Sequence, residues 1–157
     1  MRCGLLGRTL SHSHSPLLHS LLGSYDYTLF EIPPEQVEDF LRSGPWDGLN
    51  VTIPYKRTAY ALCDSLSPAA REAGNVNTLL RRPDGSLYGD NTDFAGFSDM
   101  ARDVDFKGRK TVILGSGGAS LTVQAAVKTG SNLRGSAEYR THLTGVLVRR
   151  AVAALEN

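Results

Sequence analysis

Through about residue 105 the chain alternates short apolar runs with short helix-spaced ones, separated by Gly, Pro, Ser and Asn punctuation. Such alternation of strand-like and helix-like runs restricts the chain to an α/β architecture. Arg2 to Leu6 reads as a strand, and Ser15-Pro16 opens a helix that Gly23 ends, with Leu17, Leu18, Leu21 and Leu22 as its expected buried stripe. Tyr27 to Ile32 alternates like a strand, Pro34 to Leu41 carries Val37, Phe40 and Leu41 on one helical face, and Gly48 to Thr52 returns as a strand. Ser67-Pro68 starts a further helix closed by Gly74. Asn77 to Arg81 and Ser86 to Tyr88 flank Pro83-Asp84-Gly85, which predicts a hairpin. Thr92-Asp93 is then expected to cap a helix running to about Arg102, and a domain boundary falls near residue 105.

Beyond that boundary, Lys110 to Leu114 is a β-branched run entering Gly115-Ser116-Gly117-Gly118-Ala119-Ser120, followed by a helical stretch to about Lys128. Strand, glycine loop and helix in this order open a dinucleotide-type βα unit, in which backbone N–H groups and a helix N-terminus face a pyrophosphate. A structural turn is the alternative reading of the same glycines. No second parallel strand follows. Residues 131–157 instead read as one amphipathic helix, with Leu143, Val146, Leu147, Ala151, Ala154 and Leu155 on a face that needs an apolar partner in this chain or in a second copy.

Composition narrows the function classes. Seventeen Lys and Arg against 16 Asp and Glu give a formal net charge of +1, which argues against a polybasic nucleic-acid partner. No apolar run reaches the roughly 18 residues that a membrane span needs. Cys3 and Cys63 lack the spacing of a disulfide scaffold, a zinc site or a redox motif, and read as reduced packing thiols. The N-terminus lacks the apolar core of a signal peptide, so the expected location is the cytoplasm. His12, His14 and His19 have no Cys or carboxylate at ligand spacing, and no metal is expected.

Polar residues collect where elements end. His12-Ser13-His14-Ser15-Pro16 places two hydroxyls at a helix N-terminus, suited to a carboxylate or to hydroxyls, or simply to capping. Asn50-Val-Thr52-Ile-Pro-Tyr-Lys56 puts a cation at the rim of the sheet, where ligands commonly bind. Asn75-Val-Asn77-Thr78 and Gly89-Asp-Asn91-Thr92-Asp93 add amides, hydroxyls and a carboxylate, the complement of a polyhydroxylated ligand. An Asp beside a Lys in a cleft can hold the ammonium and pass protons, as oxidation of an alcohol to a ketone requires.

In this order the four motifs, followed by Gly115-Ser-Gly-Gly-Ala119, closely resemble the shikimate dehydrogenase family over about residues 2 to 130. The resemblance implies a substrate-binding domain over 1–105, the start of an NADP-binding Rossmann domain over 106–130, and reversible reduction of 3-dehydroshikimate to shikimate in aromatic amino-acid biosynthesis. It assigns Ser13 and Ser15 to the substrate carboxylate, and Thr52, Lys56, Asn77 and Asp93 to the ring hydroxyls. Lys56 and Asp93 become the catalytic pair, while Gly115, Ser116, Gly117, Gly118 and Ala119 become the cofactor loop. Where the family usually carries Ala before Val-Asn-Thr, this chain has Asn75. Residues 131–157 depart from the family, and their Ser136 to Ala151 stretch resembles instead the C-terminal helix of flavin-binding subunits of the xanthine and carbon monoxide dehydrogenase group. The expectation is therefore a truncated family member with an unrelated helical tail, self-association as a homodimer, and, as the alternative to an enzyme, a non-catalytic shikimate-binding or assembly fragment.

Overall fold

In the computed structural model, which describes residues 1–23, 25–106, 110, 112–115 and 117–127, three parallel strands come first. They are β1 (Arg2–Gly7), β2 (Asp26–Glu31) and β3 (Gly48–Val51). Helix α1 (Ser15–Leu22) joins β1 to β2, and a 3-10 turn (Pro34–Gln36) running into α2 (Val37–Ser43) joins β2 to β3. Crossover helices of this kind return the chain to the same end of the sheet, which makes the strands parallel.

The remaining elements are α3 (Lys56–Leu62), β4 (Ser65–Leu66), α4 (Pro68–Ala73), β5 (Thr78–Arg81), β6 (Leu87–Asp90), α5 (Thr92–Met100) and α6 (Gly118–Val127). The six strands form one mixed sheet in the order β2-β1-β3-β5-β6-β4. β5 runs antiparallel to both β3 and β6, and the β5–β6 hairpin turns at Gly85 with φ +84°. The Pro83-Asp84-Gly85 signal is therefore a hairpin turn, with the Asp84 carboxylate accepting from the backbone N–H of Ser86 at 2.9 Å.

One face of the sheet carries the core. Leu6, Leu49, Val51 and Leu79 are at most 2% exposed and pack against Val37 and Leu41 of α2, Ala59 of α3 and Ala70 of α4. Ser67 caps α4 by accepting from the Ala70 N–H at 3.0 Å, and Gly74 ends it in the left-handed conformation at φ +64°.

Four elements differ from the sequence reading. The α1 leucines at 17, 18, 21 and 22 are 58% to 77% exposed rather than buried. α1 meets the sheet through His19, whose ring stacks on Tyr27 at 3.7 Å, and positions two residues from His19 in either direction point to roughly the opposite side of the helix. Lys56 keeps its expected place at the rim of the sheet but also begins a helix, α3, that the sequence reading did not contain. The cap of α5 is the Asn91 side chain, not Thr92-Asp93, because its Oδ1 accepts from the Phe94 N–H at 3.1 Å. Residues 110 and 112–115 belong to no strand, since none of the described strands lies beside them to complete a hydrogen-bond ladder. The helix expected over 131–157 lies outside the described residues.

Leu41→Ala should lower stability by about 2–5 kcal/mol, because its methyls leave a void in a packed core. Ser67→Ala should cost only about 1 kcal/mol, the worth of one helix cap. Urea denaturation followed by circular dichroism separates the two, and equal midpoints would contradict this placement of the core.

Candidate functional site

Strand direction gathers the motif residues at one end of the sheet. The ends of β1 and β3 pair as Leu6 with Val51, the end of β3 meets the start of β5 as Asn50 with Thr78, and Thr78 in turn pairs with Asp90 at the end of β6. Helices α1, α3 and α5 start from these strand ends, so the Ser13–Ser15 segment, Thr52, Lys56, Asn77 and Asp93 share that end.

At its centre the Lys56 ammonium donates to Asp93 Oδ2 at 2.5 Å, with the two side chains 16% and 42% exposed. Each partner sits in the first turn of its helix, Lys56 in α3 and Asp93 in α5. The backbone of Lys56 is fixed as well, since its carbonyl accepts from the Val76 N–H at 3.1 Å. An ammonium held by a carboxylate in a half-open site can give a proton to a carbonyl oxygen, and the neutral amine so formed can take one from a hydroxyl.

Asn77 lies beside the pair and is 8% exposed. Its Oδ1 accepts from the Thr92 N–H at 3.0 Å, and its Nδ2 donates to Thr92 Oγ1 at 3.0 Å, so Asn77 also ties β5 to the start of α5. Thr52 follows β3, with its backbone N–H bonded to the Leu6 carbonyl at 2.9 Å. Ser13 and Ser15 stand at the head of α1, where Ser13 Oγ accepts from the Ser15 N–H at 3.2 Å.

Sequence reasoning missed Tyr27. Its phenol donates to Asn50 Oδ1 at 2.8 Å, joining β2 to the Asn50 motif across β1. Burial pushes the Tyr27 phenol up to about 12, against the opposing effect of the Ser15 side chain. Only the register shows this bridge: Tyr27 and Asn50 align with Cys3 and Leu5, two residues apart on one face of β1.

The glycine loop reaches the same site. Gly118 begins α6, and a Cβ there would lie 2.9 Å from the Lys56 Cδ. Gly115 has φ +122°, a conformation that favours glycine, and a Cβ on Gly117 would meet nothing within 4 Å. A glycine-lined turn into a helix N-terminus has the donor chemistry of a pyrophosphate cradle. Ala119 lies in the first turn of α6, and Ser116 lies outside the described residues. Among the described residues, no group of three or more His, Cys, Asp or Glu is placed to hold a metal ion, and no helix is long and apolar enough to cross a membrane.

Residues 5–79 match the family model described as the shikimate dehydrogenase substrate binding domain. The NADP(+) shikimate dehydrogenase of Methylococcus capsulatus is 41% identical over 135 residues, covering 79% of this chain and 48% of the relative. That of Rubrobacter xylanophilus is 42% identical over 134 residues, with 79% and 47% covered. Among solved structures, shikimate dehydrogenase 1 from Peptoclostridium difficile superposes with a TM-score of 0.72 at 38% identity, over 81% of this chain and 51% of that one. The Thermus thermophilus enzyme in complex with NADP(H) and shikimate gives 0.69 at 34% identity, over 82% and 52%. This chain thus spans about half the length of the curated relatives it matches.

The raised thiol and phenol set the alkaline behaviour. Burial, with the Asp64 charge as the second cause, pushes the Cys63 thiol from its ordinary 9.0 up to about 11. Above pH 9.0 for Cys63 and above pH 10.0 for Tyr27 the unfolded chain releases protons that the native state retains, so stability should fall with rising pH until about 11 and about 12 respectively. In Tyr27→Phe the part of that fall contributed by the phenol should disappear, together with the latest-rising tyrosinate absorbance. Retention of that absorbance in the variant would place the raised phenol elsewhere.

Proposed function

We propose, on the premise that this chain belongs to the shikimate dehydrogenase family, that it binds shikimate and 3-dehydroshikimate and interconverts them by NADP-dependent hydride transfer. Residues 1–105 act as the substrate-binding domain and residues 106–130 as the opening of the NADP-binding domain. The observation that carries the reading is the Lys56–Asp93 ion pair at 2.5 Å, next to the Asn77 amide and the Thr92 hydroxyl that it bonds at the start of α5.

Ser13 and Ser15 hold the substrate carboxylate through their hydroxyls, while Thr52, Asn77 and Asp93 receive the ring hydroxyls. NADP(H), when bound, supplies or accepts the hydride, and Gly115, Ser116, Gly117, Gly118 and Ala119 hold its pyrophosphate. Lys56 donates its hydrogen bond to the carbonyl oxygen of 3-dehydroshikimate and passes a proton to that oxygen as the carbonyl is reduced. Asp93 keeps the ammonium aimed and offsets its charge, and in the reverse direction the neutral amine takes the proton back from the hydroxyl. Two hydrogens are added to the ketone, one as hydride and one as the lysine proton.

A second reading, an assembly module, draws on the exposed leucines of α1 and on Leu80, which is 46% exposed. A second copy of the chain against that surface would give a homodimer, and sedimentation across concentration distinguishes it from a monomeric binder.

Calorimetric titration of the chain with shikimate tests the main reading. Saturable binding is expected, weakened roughly tenfold or more in Lys56→Ala, the worth of a charge-assisted hydrogen bond. A folded chain that takes up no shikimate would overturn the proposal.

A further inference from the structure

A cluster of three side chains behind the ion pair has no place in the reaction as derived above. Asn75, Asn91 and Thr122 are at most 1% exposed, and they come from the end of α4, the cap of α5 and the second turn of α6. Asn91 Nδ2 donates to Asn75 Oδ1 at 3.0 Å, to the Asn75 carbonyl at 3.1 Å and to Thr122 Oγ1 at 3.2 Å. Asn75 Nδ2 donates to the Ala73 carbonyl at 2.9 Å and reaches Thr122 Oγ1 and the Gly118 carbonyl at 3.4 Å each. The Thr122 hydroxyl, receiving both amides, donates to the Gly118 carbonyl at 3.0 Å.

Each member lies one short step from the pair. Val76, next to Asn75, bonds the Lys56 carbonyl at 3.1 Å. Asn91 caps the turn that carries Asp93, accepting from the Phe94 N–H at 3.1 Å. Gly118 packs so close to the Lys56 stem that a Cβ there would approach Lys56 Cδ to 2.9 Å. The segments bearing the ammonium and the carboxylate are therefore joined through buried amides, and the hydroxyl that completes the junction belongs to the glycine-loop helix.

We propose that Asn75, Asn91 and Thr122 are positioning residues, a lock through which α6 sets the approach of Lys56 to Asp93. The proposal rests on the reading of that pair as the proton-transfer pair, but the geometry it asserts exists without any ligand. Removing the Thr122 hydroxyl leaves each amide two other acceptors but takes away the side-chain acceptor through which Asn91 is tied to α6, so α5 or α6 can shift relative to the other. Either shift moves one end of the ion pair.

The ammonium itself reports the outcome. In the ligand-free chain labelled with nitrogen-15 lysine, the Lys56 ammonium resonance, identified by its loss in Lys56→Arg, should be protected from solvent exchange, and Asp93→Asn should abolish that protection. Thr122→Val, nearly isosteric but without the hydroxyl, should raise the exchange rate roughly tenfold or more, and Thr122→Ser should restore it. Should Thr122→Val fail to fold, Asn75→Ala carries the same comparison. An unchanged Lys56 resonance in a folded Thr122→Val or Asn75→Ala protein, with only the unfolding midpoint lowered, would reduce the cluster to a structural element and overturn the proposal. Absence of shikimate binding would leave this readout intact, so the two proposals stand or fall separately.

Discussion

A lysine in the first turn of one helix can meet an aspartate in the first turn of another only if both helices start at the same end of the sheet. Strand polarity alone decides this. β3 and β6 both run toward that end because the intervening β5 is antiparallel to each, so α3 and α5 leave the sheet side by side. A one-residue slip in the β5 register would turn Leu79, 1% exposed in the core, toward the other face, so burial of that leucine fixes where Asn77 and the start of α5 come to rest.

Amides do the close-range work. Asn77 and Asn91 are buried where α5 leaves the sheet, and both spend hydrogen bonds on its first turn, from the Thr92 and Phe94 N–H groups respectively. The first N–H groups of a helix have no partner within it, and burying them unpaired costs about as much as a lost hydrogen bond each. Side-chain amides satisfy them while fixing the helix in rotation as well as in position. An apolar residue at either place could fill the volume but could not orient Asp93.

Local signals were the legible part of the chain. Ser67, Gly74 and Pro83-Asp84-Gly85 act on neighbours a few residues away, and each occupies its expected role in a cap, a helix stop or a turn. The site's motif residues could be read as a group because the loops at strand ends are polar, but their distances to one another could not. What failed depended on tertiary contact. The α1 leucines read as a core stripe on spacing alone, whereas His19 stacking on Tyr27 turns Leu17 and Leu21 outward, and Leu18 and Leu22 are exposed as well. Thr122 reads as an ordinary helical threonine, since nothing in residues 118–127 announces that its hydroxyl will meet Asn75 and Asn91 from segments more than thirty positions away by the numbering.

The exposure of the ion pair bears on what it can do. A pair fully in water is screened and gains little from its contact, while a pair fully buried pays a desolvation cost that its attraction barely repays. Lys56 and Asp93 lie between these limits and unequally, at 16% and 42% exposed. The ammonium has lost most of its water and is held by the carboxylate and by the packing of Gly118 on its stem, whereas the carboxylate still opens outward. In the proposed reaction a hydroxyl arriving at Asp93 would then find an acceptor with lone pairs left over, and the ketone beside it would meet a donor already stripped of most solvent. Less reorganisation would remain when the proton moves, which is the advantage of a donor fixed before the ligand arrives.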